Sequence, residues 1–256
     1  MKVLLLAKEV PDTGDPRKLD PLTGMLDREG SESVPDEINE RTIEHALLYR
    51  DEGGDAEIVV LTIGPETAED SVRKFLAMGA DSAVIVSDQA IRGADATRTA
   101  QIIAAAVEQI GPDLVLAGNE STDGRSGLVP SMVAEFLGWP VLPALSEVQI
   151  TEESVTGSTA SEGEILQLKA AFPAVVTVTE RSAEPRFPNF KGVMQAKKKP
   201  LTVWSLADIA AAEGWGATSV MVSSMERPAR AAGTKLTDDG TAAEKLADFL
   251  ATNRLI

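Results

Sequence analysis

The sequence predicts an α/β fold: a doubly wound, mostly parallel sheet with an antiparallel extension and a C-terminal arm. Three observations point to it. Short apolar runs at Lys2–Ala7, Glu57–Thr62, Ser82–Val86 and Asp113–Ala117 are the pattern of strands covered on both faces. Between them lie stretches of helical spacing that stop at Gly53-Gly54, Gly79 and Gly111-Pro112. A chain of 256 residues, 43% of them hydrophobic, can bury a large core as one main domain with an appendage.

Lys2–Ala7 is too short for a helix and apolar on both faces, so it reads as a central strand. Pro11 to Pro35 is a long loop rich in Asp, Gly, Pro and Ser, and loops of that length are usually functional or disordered. Ile38–Tyr49 follows as a helix with an acidic start at Asp36 and Glu37. The strand Glu57–Thr62, helix Glu66–Met78, strand Ser82–Val86, helix Ala94–Ile110 and strand Asp113–Ala117 then alternate. Such alternation implies a parallel sheet with right-handed crossovers and helices on both faces. A helix from about Ser126 to Leu137 ends at Gly138-Trp139-Pro140.

Beyond Pro140 the period shortens. Ser146–Ile150, Ser154–Thr159, Glu164–Ala170 and Ala174–Thr179 read as strands, with antiparallel pairing that extends the sheet. Glu180 to Pro200 reads as irregular and ends in the basic run Lys197-Lys198-Lys199. A short helix near Leu206–Ala212, a strand Ser219–Ser223 and a last helix Thr241–Ala251 complete the chain. The expected division is a main α/β domain over 1–184 and a tail over 185–256 that lacks a core of its own and lies along another surface.

Composition narrows the function. With 24 basic and 40 acidic residues the formal charge is −16, which opposes binding to nucleic-acid phosphates. Without cysteine the chain has no thiolate nucleophile, disulfide or iron–sulfur ligand, so redox chemistry must reside on an organic cofactor. His45, the single histidine, makes a metal site unexpected and reads as an ordinary surface residue of its helix. The opening MKVLLLAKEV lacks a cleavage site and no apolar run reaches bilayer length, which gives the expectation of a cytoplasmic protein not embedded in a membrane.

Ligands of open parallel sheets bind beyond the carboxyl ends of the strands. Three such ends stand out, at Leu6-Ala7-Lys8, Thr62-Ile63-Gly64-Pro65 and Ala117-Gly118. From the last rises GNESTDGRSG, Gly118 to Gly127, whose glycines, Arg125, Ser126 and free helix amides suit a phosphate. It has neither the lysine of a Walker A loop nor the dinucleotide spacing, and a plain strand-to-helix loop capped by Ser126 fits the same residues. Asp123 reads first as a turn former, with a backbone or ribose contact as the functional alternative, and Lys8 either faces the cleft or pairs with Asp12. Lys197 to Lys199 either steer an acidic partner or form a solvated charge run. No catalytic triad, carboxylate pair or metal cluster emerges.

Together the segments resemble the beta subunit of electron-transfer flavoproteins, the FixA-type family, over nearly the full length. The matching stretches are VLLLAKEVPD (Val3 to Asp12), VPDEINERTIEHAL (Val34 to Leu47) and LTIGPETAEDSVRKFLAMGAD (Leu61 to Asp81). They continue with LVLAGNESTDGRSGLVPSMVAEFLGWP (Leu114 to Pro140), FPAVVTVT (Phe172 to Thr179) and EPRFPNFKGVMQAKKKPL (Glu184 to Leu201). The resemblance implies a Rossmann-like fold binding an adenine nucleotide, and a heterodimer with an alpha subunit that holds most of the FAD site. It implies a structural AMP in this subunit, on Leu6, Lys8, Asp36, Asn39, Ile63 and Gly64, with phosphate on Asp123, Gly124, Arg125, Ser126 and Gly127. Electrons would come from dehydrogenases such as acyl-CoA dehydrogenases and leave to a membrane quinone oxidoreductase, with no bond-making catalysis by this chain. Glu184 to Met194 matches the family's partner-recognition loop, with Phe190 as apolar anchor, Phe187 as the alternative, and Met194 beside them. Thr13 stands where some members place a tyrosine near the flavin. Two alternatives stay open: within the family, an electron-bifurcating member with a second FAD in place of AMP, and outside it, a stand-alone nucleotide-binding regulator of the same architecture, resembling universal stress proteins.

Overall fold

The computed structural model describes residues 1–28, 30–211, 221–230 and 232–256. The chain runs β1 (Lys2–Leu6), β2 (Glu9–Pro11), β3 (Ser33–Pro35), α1 (Glu37–Asp51), β4 (Glu57–Ile63), α2 (Glu69–Met78), β5 (Ser82–Val86), α3 (Ala96–Ile110) and β6 (Leu114–Gly118). It continues with α4 (Val129–Leu137), β7 (Val141–Leu145), β8 (Glu147–Ile150), β9 (Ser154–Ser161), β10 (Glu164–Ala171), β11 (Ala174–Val178), α5 (Phe190–Ala196), β12 (Leu201–Trp204) and α6 (Ala242–Thr252). Two units divide it, Met1–Ser223 and Ser224–Ile256, so the boundary expected at 184/185 falls inside the first. In the second unit, α6 has no buried residue.

A seven-stranded sheet has the order β12-β5-β4-β1-β6-β11-β7, and every neighbouring pair is parallel. Alternating side chains of each strand point to opposite faces, so an apolar run feeds two cores at once. Val3, Leu5, Ile58 and Val60 join Ile43 of α1 and Phe75 of α2 in one cluster. Leu4, Leu6, Val59 and Leu61 join Ile102 of α3 and Val133 of α4 in the other. Each of these fully buried side chains contributes roughly 1.5–3 kcal/mol. The doubly wound α/β class predicted from the sequence is therefore the observed one.

The chain leaves β1 for β4 and β5 on one side, then returns to β6 on the other. That reversal opens a crevice beyond the ends of β1, β4 and β6, where ligands of such sheets bind. Asp36 starts α1 by accepting from the Ile38 amide, and Asp95 starts α3 by accepting from the Arg98 amide.

Several elements depart from the sequence expectations. The antiparallel part is a separate three-stranded sheet, β10-β9-β8, while β11 and the unforeseen β7 join the main sheet in parallel. The unforeseen β12 closes the other edge against β5. Helix α4 begins at Val129 rather than Ser126, and no side chain caps it. Residues 206–210 are hydrogen-bonded turns, not a helix. The expected strand Ser219–Ser223 starts outside the described residues, as does Gly214-Trp215-Gly216, and 221–223 carry no regular structure. The stretch Glu180 to Pro200 is not wholly irregular, because Asn189 caps α5 by accepting from the Gly192 amide. Among the described residues, no helix is long and apolar enough to cross a membrane.

Candidate functional site

A cleft of about 500 Å³ lies at the crevice. Its walls come from the ends of β1 (Leu6, Lys8), β4 (Ile63) and β6 (Gly118), from Asn39 on α1, and from the starts of α3 and α4. Two helix N-termini thus border one cavity, each carrying partial positive charge. The amides of Ser126, Gly127 and Leu128 carry no hydrogen bond among the described residues, and Gly127 takes the left-handed φ of +63° that lets the turn wind into α4. The Oδ1 of Asn119, also on the wall, is buried and has no hydrogen-bond partner among the described residues. An orphaned acceptor beside free amides asks for a ligand with both donors and an anionic group.

The electrostatics centre on Asp123. Its side chain is 2% exposed, and it receives Lys8 Nζ at 2.7 Å and Arg28 at 2.8 Å. Burial works against its ionisation, but the hydrogen bond and charge of Lys8, with help from Ser121 and Arg28, prevail and hold the carboxyl well below the usual carboxylate range. Both cations line the cleft, so two positive charges share one buried carboxylate there. Lys8 pairs with Asp123 and Ser121, not with Asp12 as one sequence reading had it.

Of the residues carried over by resemblance, Leu6, Lys8, Asn39, Ile63, Gly124, Ser126 and Gly127 line this cleft. Asp36 stands behind it, fully buried, with one oxygen on the Ile38 amide and the other on the amide (2.7 Å) and hydroxyl (3.0 Å) of Thr122. Its role in this geometry is to tie the head of α1 to the Gly118–Gly127 turn. Gly64 is outside the wall and donates to the Val86 carbonyl. Arg125 is exposed, outside the wall, and has a left-handed φ of +50°.

Sequence reasoning missed Arg28, Asn119 and the head of α3 with Asp95, Ala96 and Thr99. The long loop after β2 closes through a β2–β3 ribbon and sends Arg17 to the Thr122 carbonyl and Arg28 to Asp123. Asp95 after Gly93 is a helix-start signal that was available; no local pattern marks Arg28. His45 corrects another expectation, since it is buried rather than on the surface. Burial pushes its pKa down to about 4 against the opposing charge of Glu44, and its Nε2 has no partner among the described residues.

A second surface follows Glu184. Phe187 and Phe190 are 92% and 82% exposed, and Met194 is half exposed. Arg186 donates to both oxygens of Glu44 and, at 2.7 Å, to Asp51. The basic run is partly structural: Lys199 donates to the Leu76 and Ala80 carbonyls at the end of α2, while Arg73 of α2 donates to the Ala196 and Lys199 carbonyls after α5. Lys197 and Lys198 remain exposed.

A parallel sheet with a cleft at its reversal, walled in part by Lys8, Arg28 and the turn of Ser126 and Gly127, defines a class, the doubly wound α/β proteins, whose ligands bind at the strand ends. The family described as electron transfer flavoprotein domain matches residues 23–209. The electron transfer flavoprotein subunit beta of Mycobacterium tuberculosis is 42% identical, with 99% of each chain covered, as is that of Mycobacterium leprae. The caffeyl-CoA reductase-Etf complex subunit CarD of Acetobacterium woodii is 34% identical, covering 98% of this chain and 96% of its own. This chain belongs to the electron transfer flavoprotein family, on the beta-subunit side.

Proposed function

We propose that the chain pairs with an alpha subunit to form a cytoplasmic heterodimeric carrier that takes electrons from dehydrogenases, acyl-CoA dehydrogenases among them, and passes them to a membrane quinone oxidoreductase. FAD, held mainly by the alpha subunit, supplies the redox chemistry when bound. The beta chain makes no bond itself; it holds an AMP and presents a docking surface.

The observation that carries this reading is the cleft. Its size suits a small ligand, and its contents match a nucleoside monophosphate: Lys8, Arg28 and the amides of Ser126, Gly127 and Leu128 for phosphate, and Asn119 and Asn39 for the polar edges of the nucleoside. Asp36 and Asp123 act behind them, Asp36 fixing the turn and Asp123 aligning the two cations. Gly64 and Arg125 stand further out, and Arg125 adds positive charge near the phosphate end. A nucleotide bound only by the folded chain adds stability by mass action. Phe187, Phe190 and Met194 supply the apolar contact to the dehydrogenase, since an aromatic anchor in a partner pocket contributes about 2 kcal/mol or more.

The test is to purify the chain with its alpha subunit, release bound nucleotides with acid and weigh them. One FAD and one AMP per pair supports the proposal. Two FAD support the bifurcating alternative. ATP alone, without a partner, supports the stand-alone regulator and removes the carrier reading.

A further inference from the structure

The two exposed aromatics of the docking surface sit between two anchors. Upstream, Arg41 of α1 donates to the Ala183 carbonyl at 3.2 Å and to Glu184 at 3.1 Å. The Arg186 guanidinium grips Glu44 from Nε and from its terminal nitrogen, its backbone amide adds a third link to the same carboxylate at 3.0 Å, and Asp51 accepts at 2.7 Å. Glu44 is buried, so its pairing is directional and sheltered from solvent. Downstream, Gly192 lies so close to α2 that a Cβ there would stand 2.4 Å from the Ala77 carbonyl oxygen. Asn189 fixes the intervening turn by capping α5, which makes Phe190 the first residue of that helix.

We infer that Arg186 and Gly192 are positioning residues that hold Phe187 and Phe190 in a preformed geometry for a protein partner offering an apolar pocket edged by carboxylates. The inference rests on the docking reading proposed above. Lys191, Lys197 and Lys198 are exposed around the aromatic pair, and so supply the charge that an acidic rim would meet. A segment already ordered before contact loses less conformational freedom on docking than one that orders on contact. Arg186 does not line the cleft: it acts through the segment it holds. Lysine in its place keeps a positive charge near Glu44 and Asp51 but loses the fork that fixes direction.

The experiment uses the pair with its alpha subunit, with a purified acyl-CoA dehydrogenase and its thioester substrate as electron source. Wild type, Arg186→Lys, Gly192→Ala and Phe190→Ala are compared over a range of carrier concentrations. Arg186→Lys is expected to raise KM for the carrier about tenfold while kcat stays within about twofold, because misplaced contacts weaken encounter rather than chemistry. Gly192→Ala should move KM the same way. Nucleotide content and flavin spectrum should be those of wild type. Amide exchange at Arg186 and Gly192, which donate to Glu44 and Asn189, should be slow in the free wild-type pair and faster at Arg186 in Arg186→Lys. If Phe190→Ala raises KM and Arg186→Lys does not, positioning is overturned and the docking reading stands. If neither raises KM, the docking reading falls and the inference with it. A fall in kcat with KM unchanged, or fast exchange in the free wild type, overturns the inference by making Arg186 a residue of general stability or the segment one that orders on contact.

Discussion

Replacing Asp36 tests how the cleft is assembled. Its carboxylate caps α1 through the Ile38 amide at 3.0 Å and holds Thr122 through amide and hydroxyl. Asp36→Ala removes a cap worth about 1 kcal/mol and leaves the Thr122 donors without an acceptor, at about 1–3 kcal/mol for a buried donor. With two donors stranded, the expected loss is about 3–7 kcal/mol, a large part of the roughly 5–15 kcal/mol that holds a domain together. Asp36→Asn separates the two effects. Its remaining oxygen still serves Ile38, its amide nitrogen can donate to the Thr122 hydroxyl, and only the Thr122 amide is stranded, so the loss is about 1–3 kcal/mol. Urea unfolding followed by circular dichroism, with midpoints compared at equal slope, measures both. If Asp36→Ala lies within about 0.5 kcal/mol of wild type, or if Asn costs more than Ala, the tie between α1 and the turn has been misjudged.

His45 predicts a pH dependence. Its folded pKa of about 4 lies below the ordinary 6.5, so the unfolded chain protonates first; its contribution is full above pH 6.5 and is lost as pH falls toward 4. The loss is on the order of 3 kcal/mol, and His45→Leu should flatten the fall in the urea midpoint over that window; parallel curves for the two proteins reject the assignment. At the cleft, Arg28→Ala should strip more AMP from the purified pair than Arg125→Ala, because Arg28 lines the wall and Arg125 does not. Equal AMP content in those two variants argues against the phosphate placement. Gly118→Ala would bring a Cβ to 2.9 Å from Ile38 and 3.0 Å from Asn39, so reduced AMP content with the secondary structure retained is expected by mass analysis and circular dichroism.

The parts legible in the sequence are those whose cause is local. Fully buried strands such as β4 and β6 appear as apolar runs because both faces meet helices, and α3 shows as a helical run with its stop at Gly111. The strands β7 and β12 were not legible, since each is short, follows a proline and owes its existence to a neighbour distant in sequence. Helix α5 was hidden by Pro188 and Gly192, which read as loop residues although Gly192 serves close packing against α2. The antiparallel strands were visible as strands, but alternation does not say which sheet they join. Leu6, Lys8 and Gly127 could be placed at the cleft wall because strand ends and glycine turns have sequence signatures. Arg28 was not, because its link to Asp123 spans 95 residues of chain.

Helix α1 has 15 residues, and at 1.5 Å each it is about 22 Å long. Near its head are Asp36 and Asn39, committed to the cleft; further along, Arg41, Glu44 and Asp51 hold residues 183–186, the stem of the proposed docking segment. One secondary-structure element therefore answers to two tasks, and a drift in partner preference that works through α1 is filtered by what the cleft tolerates. On the proposed docking role, retuning toward a new partner is freer at residues 187–191, which can vary without altering α1. The expected signature of divergence is a variable docking tip on an invariant stem.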